Sequence, residues 1–145
     1  MPTRTAPGLS EMSAAECLAC LGSVTTGHLA VTHRALPCVV PVRIGVVDDE
    51  VVVESCLGGF VPLLPGVVAL EAGTFGGGAL PEWTVGVRGF LTGPEEGTVP
   101  ASKRRMNAAP EMFRLSVEYV TGWKNASIGP CPAGPPMQPK QQPRE

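Results

Sequence analysis

The chain has 145 residues, 43% of them hydrophobic and only 5% aromatic, with 13 acidic and 11 basic side chains for a formal net charge of −2. That length fits one domain with a core large enough to hold without disulfide staples. The near-neutral charge and the lack of a basic patch argue against a nucleic-acid partner, the densest basic run being Lys103-Arg104-Arg105.

Residues 1–11 read as a flexible N-terminus, and residues 1–10 lack the apolar stretch of a secretory signal. Ser13-Ala14-Ala15-Glu16 is a capping box, in which the serine and glutamate side chains satisfy each other's backbone donors. It predicts a helix to about Gly22, with Ala14, Cys17, Leu18 and Leu21 on one face. Residues 27–32 and 37–47 are β-branched strands joined by a short polar turn. Asp48-Asp49 is a second turn, and 50–54 resumes as a strand, so 37–55 forms a hairpin. Gly58-Gly59 ends it, and Pro62 and Pro65 forbid a long helix in the segment that follows. Those prolines also break the longest apolar run, 60–70, which is well short of the roughly 20 residues needed to cross a bilayer. No membrane partner is expected, and the expected location is cytoplasmic.

Residues 66–72 make a further strand, and Gly76-Gly77-Gly78 lies in a loop that lacks the lysine and following helix of a phosphate loop. Residues 83–91 alternate, with Trp83, Val85 and Val87 against Thr84, Gly86 and Arg88, as a half-buried strand should. A polar connection over 93–110 leads to a closing strand at 112–120. Residues 124–145, rich in Pro, Gly and Gln, predict a disordered tail, which leaves 12–123 as the folded domain. One helix followed by about six meandering strands predicts a mainly β fold: an antiparallel barrel, since closure removes exposed strand edges.

The candidates for chemistry are few. Cys17 and Cys20 form a Cys-x-x-Cys on the helix, but with His28 and His33 they match no zinc spacing, so no metal site is predicted. The five cysteines, odd in number and irregular in spacing, read as small packing side chains. No carboxylate or nucleophile pairs with either histidine, so catalytic residues are not identified. A haem role for the histidines is set aside.

The order of these elements and four strings resemble the pyridoxamine 5'-phosphate oxidase-like FMN-binding family. The strings are Gly27-His28-Leu29-Ala30-Val31-Thr32, Pro37-Cys38-Val39-Val40-Pro41-Val42-Arg43-Ile44, Glu82-Trp83-Thr84-Val85-Gly86-Val87-Arg88-Gly89 and Val120-Thr121-Gly122-Trp123. The resemblance implies a split β-barrel that pairs as a homodimer, with flavin at the interface. It places the flavin ring on Pro41, Val42 and Arg43, and the phosphate on Ser55, Gly58 and Gly59, whose amides would cradle an anion. Arg43, Arg88 and Trp83 are further cofactor-binding candidates, the arginines because a planar guanidinium suits bidentate phosphate contact. Phe60 departs from the pattern, standing where the family usually offers a basic side chain. Two readings stay open. One is an oxidoreductase using FMN, or a deazaflavin, on a small organic substrate. The other is a cofactor-divergent barrel, a binding or accessory protein without the phosphate anchor.

Overall fold

The computed structural model describes residues 8–55, 63–75, 80–95 and 111–127. Ser13 caps the helix α1, Ala14–Gly22, its side chain accepting from the Glu16 N–H at 3.2 Å. Such a cap contributes about 1 kcal/mol. Glu16 also binds Lys124 Nζ at 2.8 Å, which ties the helix to the last strand. That pairing holds the Glu16 carboxyl below the ordinary glutamate value.

Two hairpins follow as the residue pattern predicts: β2 (Thr26–His33), β3 (Leu36–Val47) and β4 (Glu50–Ser55). Both two-residue turns have positive φ throughout, Arg34 and Ala35 at 52° and 63°, Asp48 and Asp49 at 50° and 62°. This left-handed geometry matches the twist of the flanking strands. Aspartate tolerates it, whereas Arg34 and Ala35 adopt it at a small steric penalty.

β5 (Gly66–Thr74) and β6 (Trp83–Thr92) run slightly past the predicted strands. The single closing strand predicted over 112–120 is in fact two, β7 (Met112–Leu115) and β8 (Tyr119–Asn125). The reason lies on β6, which pairs with β7 at Leu91 and Thr92 and with β8 from Trp83 to Arg88. Residues 116–118 cross from one pairing to the other. Gly89 permits this, because a Cβ there would fall on the Ser116 carbonyl oxygen.

Six strands, in the cyclic order β6-β5-β2-β3-β4-β7, close an antiparallel barrel. The mainly β class, the closed barrel and, among the described residues, the single helix thus agree with the sequence expectation. Outside the ring, β8 carries one more strand, β1 (Leu9–Glu11), within the stretch read as a flexible N-terminus. The last strand likewise takes in Lys124 and Asn125, where the tail was expected to begin. Of that tail, residues 128–145 lie outside the described residues.

The core fills the barrel with Leu29, Val42, Val51, Val53, Val85, Phe113 and Leu115, all fully buried. Each contributes about 1.5–3 kcal/mol by leaving water. Helix α1 plugs one end against β8 at Gly122, where a Cβ would stand 2.6 Å from Cys17 Sγ and 2.7 Å from Met12 Cε. Among the described residues, no helix is long and apolar enough to cross a membrane.

Candidate functional site

Alternation along the strands sends every second side chain outward, and the pairing register decides which outward chains meet. One outward row runs across five strands as Pro41, His28, Glu71, Gly86 and Thr121. The next runs as Val39, Ala30, Ala69, Arg88 and Tyr119. Ala30, Ala69 and Gly86 are small, so the face is hollow between larger neighbours. The result is a cleft of about 350 Å³, lined by His28, Val39, Glu71, Arg88 and Thr121 around that floor. This lies at the low end for small-molecule sites, which run from about 300 to 1,000 Å³.

The rim is apolar and exposed. Val39, Val67, Phe90 and Tyr119 are 68%, 70%, 53% and 53% accessible, and all belong to this face. The Arg88 guanidinium carbon lies 4.5 Å from the centroid of the Tyr119 ring. This cation–π contact places the guanidinium over the ring at the edge of the cleft, and among the described residues its donors meet no carboxylate. Neither Arg88 nor Glu71 makes an ion pair among the described residues.

The cofactor candidates from the sequence are dispersed over the barrel. Pro41 and Arg43 point outward on β3, Pro41 beside His28 and so at the margin of the cleft. Val42, between them, is fully buried in the core. Ser55 pairs with Val42 and therefore shares the inward face, whereas Arg43 pairs with Glu54 on the outward one. Ser55 Oγ is buried with no hydrogen-bond partner. Trp83, at the start of β6, is 6% exposed and packs in the core. Arg88 lines the cleft. Gly58 and Gly59, like Phe60, lie outside the described residues.

Glu71 and Ala69 went unremarked in the sequence, and Ala30 and Gly86 were read only as strand residues. Alternation marks positions 28, 69, 71, 86 and 88 as outward, but only strand register shows that they meet. Other candidates carry no site. No group of three or more His, Cys, Asp or Glu side chains suited to a metal occurs among the described residues. Cys17 and Cys38 are free thiols. Burial, with the negative charges of Glu16 and Glu11, pushes the Cys17 thiol up, away from a reactive thiolate. Cys20 is disulfide-bonded, which corrects the reading of all five cysteines as packing thiols.

No protein-family model matches the chain, and no curated protein matches it. Solved structures do. An FAD-binding protein from Mycobacterium smegmatis superposes with a TM-score of 0.61 at 20% identity, over 80% of this chain and 99% of that one. A candidate pyridoxamine 5'-phosphate oxidase from Corynebacterium glutamicum gives 0.60 at 17% identity, over 87% and 99% of the two chains. The fold is the pyridoxamine 5'-phosphate oxidase-like split barrel. Another split barrel with this architecture, an FAD- and haem-binding protein from M. smegmatis, gives 0.55 at 14% identity over 87% of this chain and 77% of that one. At these identities the likeness is one of split-barrel architecture. The cleft residues of this split barrel are argued from its own geometry.

Proposed function

We propose that this split barrel binds a flavin, FMN in the first instance and a deazaflavin as the alternative, and serves as an oxidoreductase for a small organic substrate. The observation that carries the reading is the cleft on the outer face, open beside Pro41 and ringed by exposed apolar side chains. Bound flavin supplies hydride or electron transfer, which the protein's own side chains cannot. The chain's part is then to bind and orient. Pro41 and Arg43, on the outward side of β3, offer the strand surface for the ring. Around them, the apolar rim would exclude water once covered.

Titration of the purified protein with FMN, FAD and riboflavin, followed by visible absorption, tests the reading. Saturable spectral change with at least one nucleotide is expected. No change with any of the three up to about millimolar concentration would end the flavin proposal. One finding favours the second reading, a binding or accessory barrel without the phosphate anchor: Ser55 and Arg43 lie on opposite faces of the sheet, and Phe60 is not basic.

The same face is the proposed homodimer surface. Val39, Val67, Phe90 and Tyr119 together make an apolar patch of the sort that monomeric proteins rarely leave open. A stable pair would bury on the order of 2,000 Å². Light scattering at micromolar concentration should report a dimer, and Phe90→Glu should yield a monomer that keeps its secondary structure by circular dichroism. A wild-type monomer would refute the surface.

A further inference from the structure

The polar groups of the cleft are arranged with opposite character at its two ends. Arg88 stands at one end, over the Tyr119 ring and outside the ion pairs of the described residues. Glu71 and His28, direct cross-strand neighbours, stand at the other. Between them lies a floor of Ala30, Ala69 and Gly86, without a branched side chain to interrupt it. By register Arg88 is the diagonal neighbour of Glu71, within reach for long side chains. Even so, the two form no ion pair.

We infer that this cleft is a binding site for a small planar aromatic acid that carries a hydrogen-bond donor at the end opposite its carboxylate. Arg88 takes the carboxylate through its fork, a bidentate geometry that a lysine cannot reproduce. The ring lies on the floor of Ala30, Ala69 and Gly86, whose small side chains leave the space open. Glu71 accepts from the ligand's amino or hydroxyl donor, and His28 lies alongside. A ligand with this polarity satisfies both charged ends at once, whereas a simple anion meets Arg88 but leaves Glu71 facing an apolar or negative group. The inference goes beyond the oxidoreductase reading: it rests on the residues of this face alone and does not require flavin.

The test uses the full-length protein and three probes: 4-aminobenzoate, benzoate and aniline, followed by two-dimensional amide NMR. Saturable shifts confined to β2, β5, β6 and β8 are expected, with 4-aminobenzoate bound most tightly and aniline most weakly. Arg88→Gln should weaken 4-aminobenzoate at least tenfold, and Arg88→Lys should recover only part of the loss. Glu71→Ala, which removes the acceptor, should abolish the preference for 4-aminobenzoate over benzoate. Gly86→Val fills the floor and should eliminate binding. The fold should tolerate it, since the nearest atom to a new Cβ is Thr121 Oγ1 at 3.7 Å, and the melting temperature serves as the check. Added salt should weaken the wild-type complex, because the Arg88 contact is ionic.

Shifts that map elsewhere, no saturation with any probe, or unchanged affinity in Arg88→Gln would each overturn the inference. So would variants that alter the dimer while leaving probe affinity intact, which would make Arg88 and Glu71 interface residues. If FMN displaces the probe and Arg88→Gln weakens both equally, the cleft is the cofactor's own site and the aromatic-acid inference fails while the flavin reading stands. If FMN does not bind but the probe does, the flavin reading fails and this inference stands.

Discussion

A chain carrying Gly89→Ala is expected to lose a large part of its stability, melting about 10 °C or more below the wild type. The alanine methyl would occupy the place of the Ser116 carbonyl oxygen, with the carbonyl carbon 2.9 Å away and the Glu118 backbone nitrogen 3.4 Å away. These are backbone atoms, and they are held. Ser116 donates its N–H to Phe90 O at 3.0 Å, and Glu118 donates to Arg88 O at 3.1 Å. Relief therefore requires moving the crossing segment and breaking the hydrogen bonds that direct β7 and β8 to different parts of β6. Overpacking ordinarily takes about 1–3 kcal/mol when side chains can yield. Here the neighbours are backbone, so the effect should exceed about 3 kcal/mol, against a typical total of about 5–15 kcal/mol. For a domain of this size each kcal/mol moves the melting temperature by about 3 °C. Gly22→Ala is the matched control. Nothing lies within 4 Å of its would-be Cβ, and at a helix end alanine gains up to about 1 kcal/mol in propensity. A Gly89→Ala protein that melts within about 2 °C of wild type would mean that the strand crossing is not where the structure puts it.

Phe60→Lys should tighten FMN binding by roughly 10- to 150-fold if the flavin proposal holds. The substitution adds one charge-assisted hydrogen bond to a phosphate, typically worth about 1.5–3 kcal/mol. Wild-type protein would then be purified largely colourless. Riboflavin, which lacks the phosphate, is the internal control and should not respond. The gain should shrink with salt. Unchanged FMN affinity in the variant would show that position 60, five residues past Ser55, does not face the phosphate. Tight binding by the wild type would point instead to Arg43 or Arg88 as the anion's partner. Arg43→Gln and Arg88→Gln would then separate the two, since these arginines lie on β3 and β6, with β2 and β5 between them.

The central hairpins were legible in the chain because their signals are local. Asp48-Asp49 accepts the left-handed turn, β-branched residues fill β3 and β4, and the Ser13 and Glu16 side chains start the helix within one turn of themselves. The last two strands were not legible. Residues 112–120 read as one run, because nothing near Ser116 says that β6 will change partners there. That decision is made by Gly89, 27 positions earlier. The short strand at Leu9–Glu11 escaped notice for a similar reason: three residues have no period, and their pairing with β8 exists only in the folded chain.

The candidate site divides in the same way. By itself the sequence determined the barrel class, the outward or inward direction of most strand residues, and the presence of two arginines able to meet an anion. Alternation is a property of one strand at a time, and each of these statements needs only one strand. Only the tertiary structure decided that Ser55 and Arg43 face opposite ways and that Trp83 packs in the core. It alone brought Ala30, Ala69, Glu71 and Arg88 together beside His28. The physical reason is register. Neighbours across a sheet are set by backbone hydrogen bonds between distant segments, and a slip of one residue would turn each of these side chains to the other face.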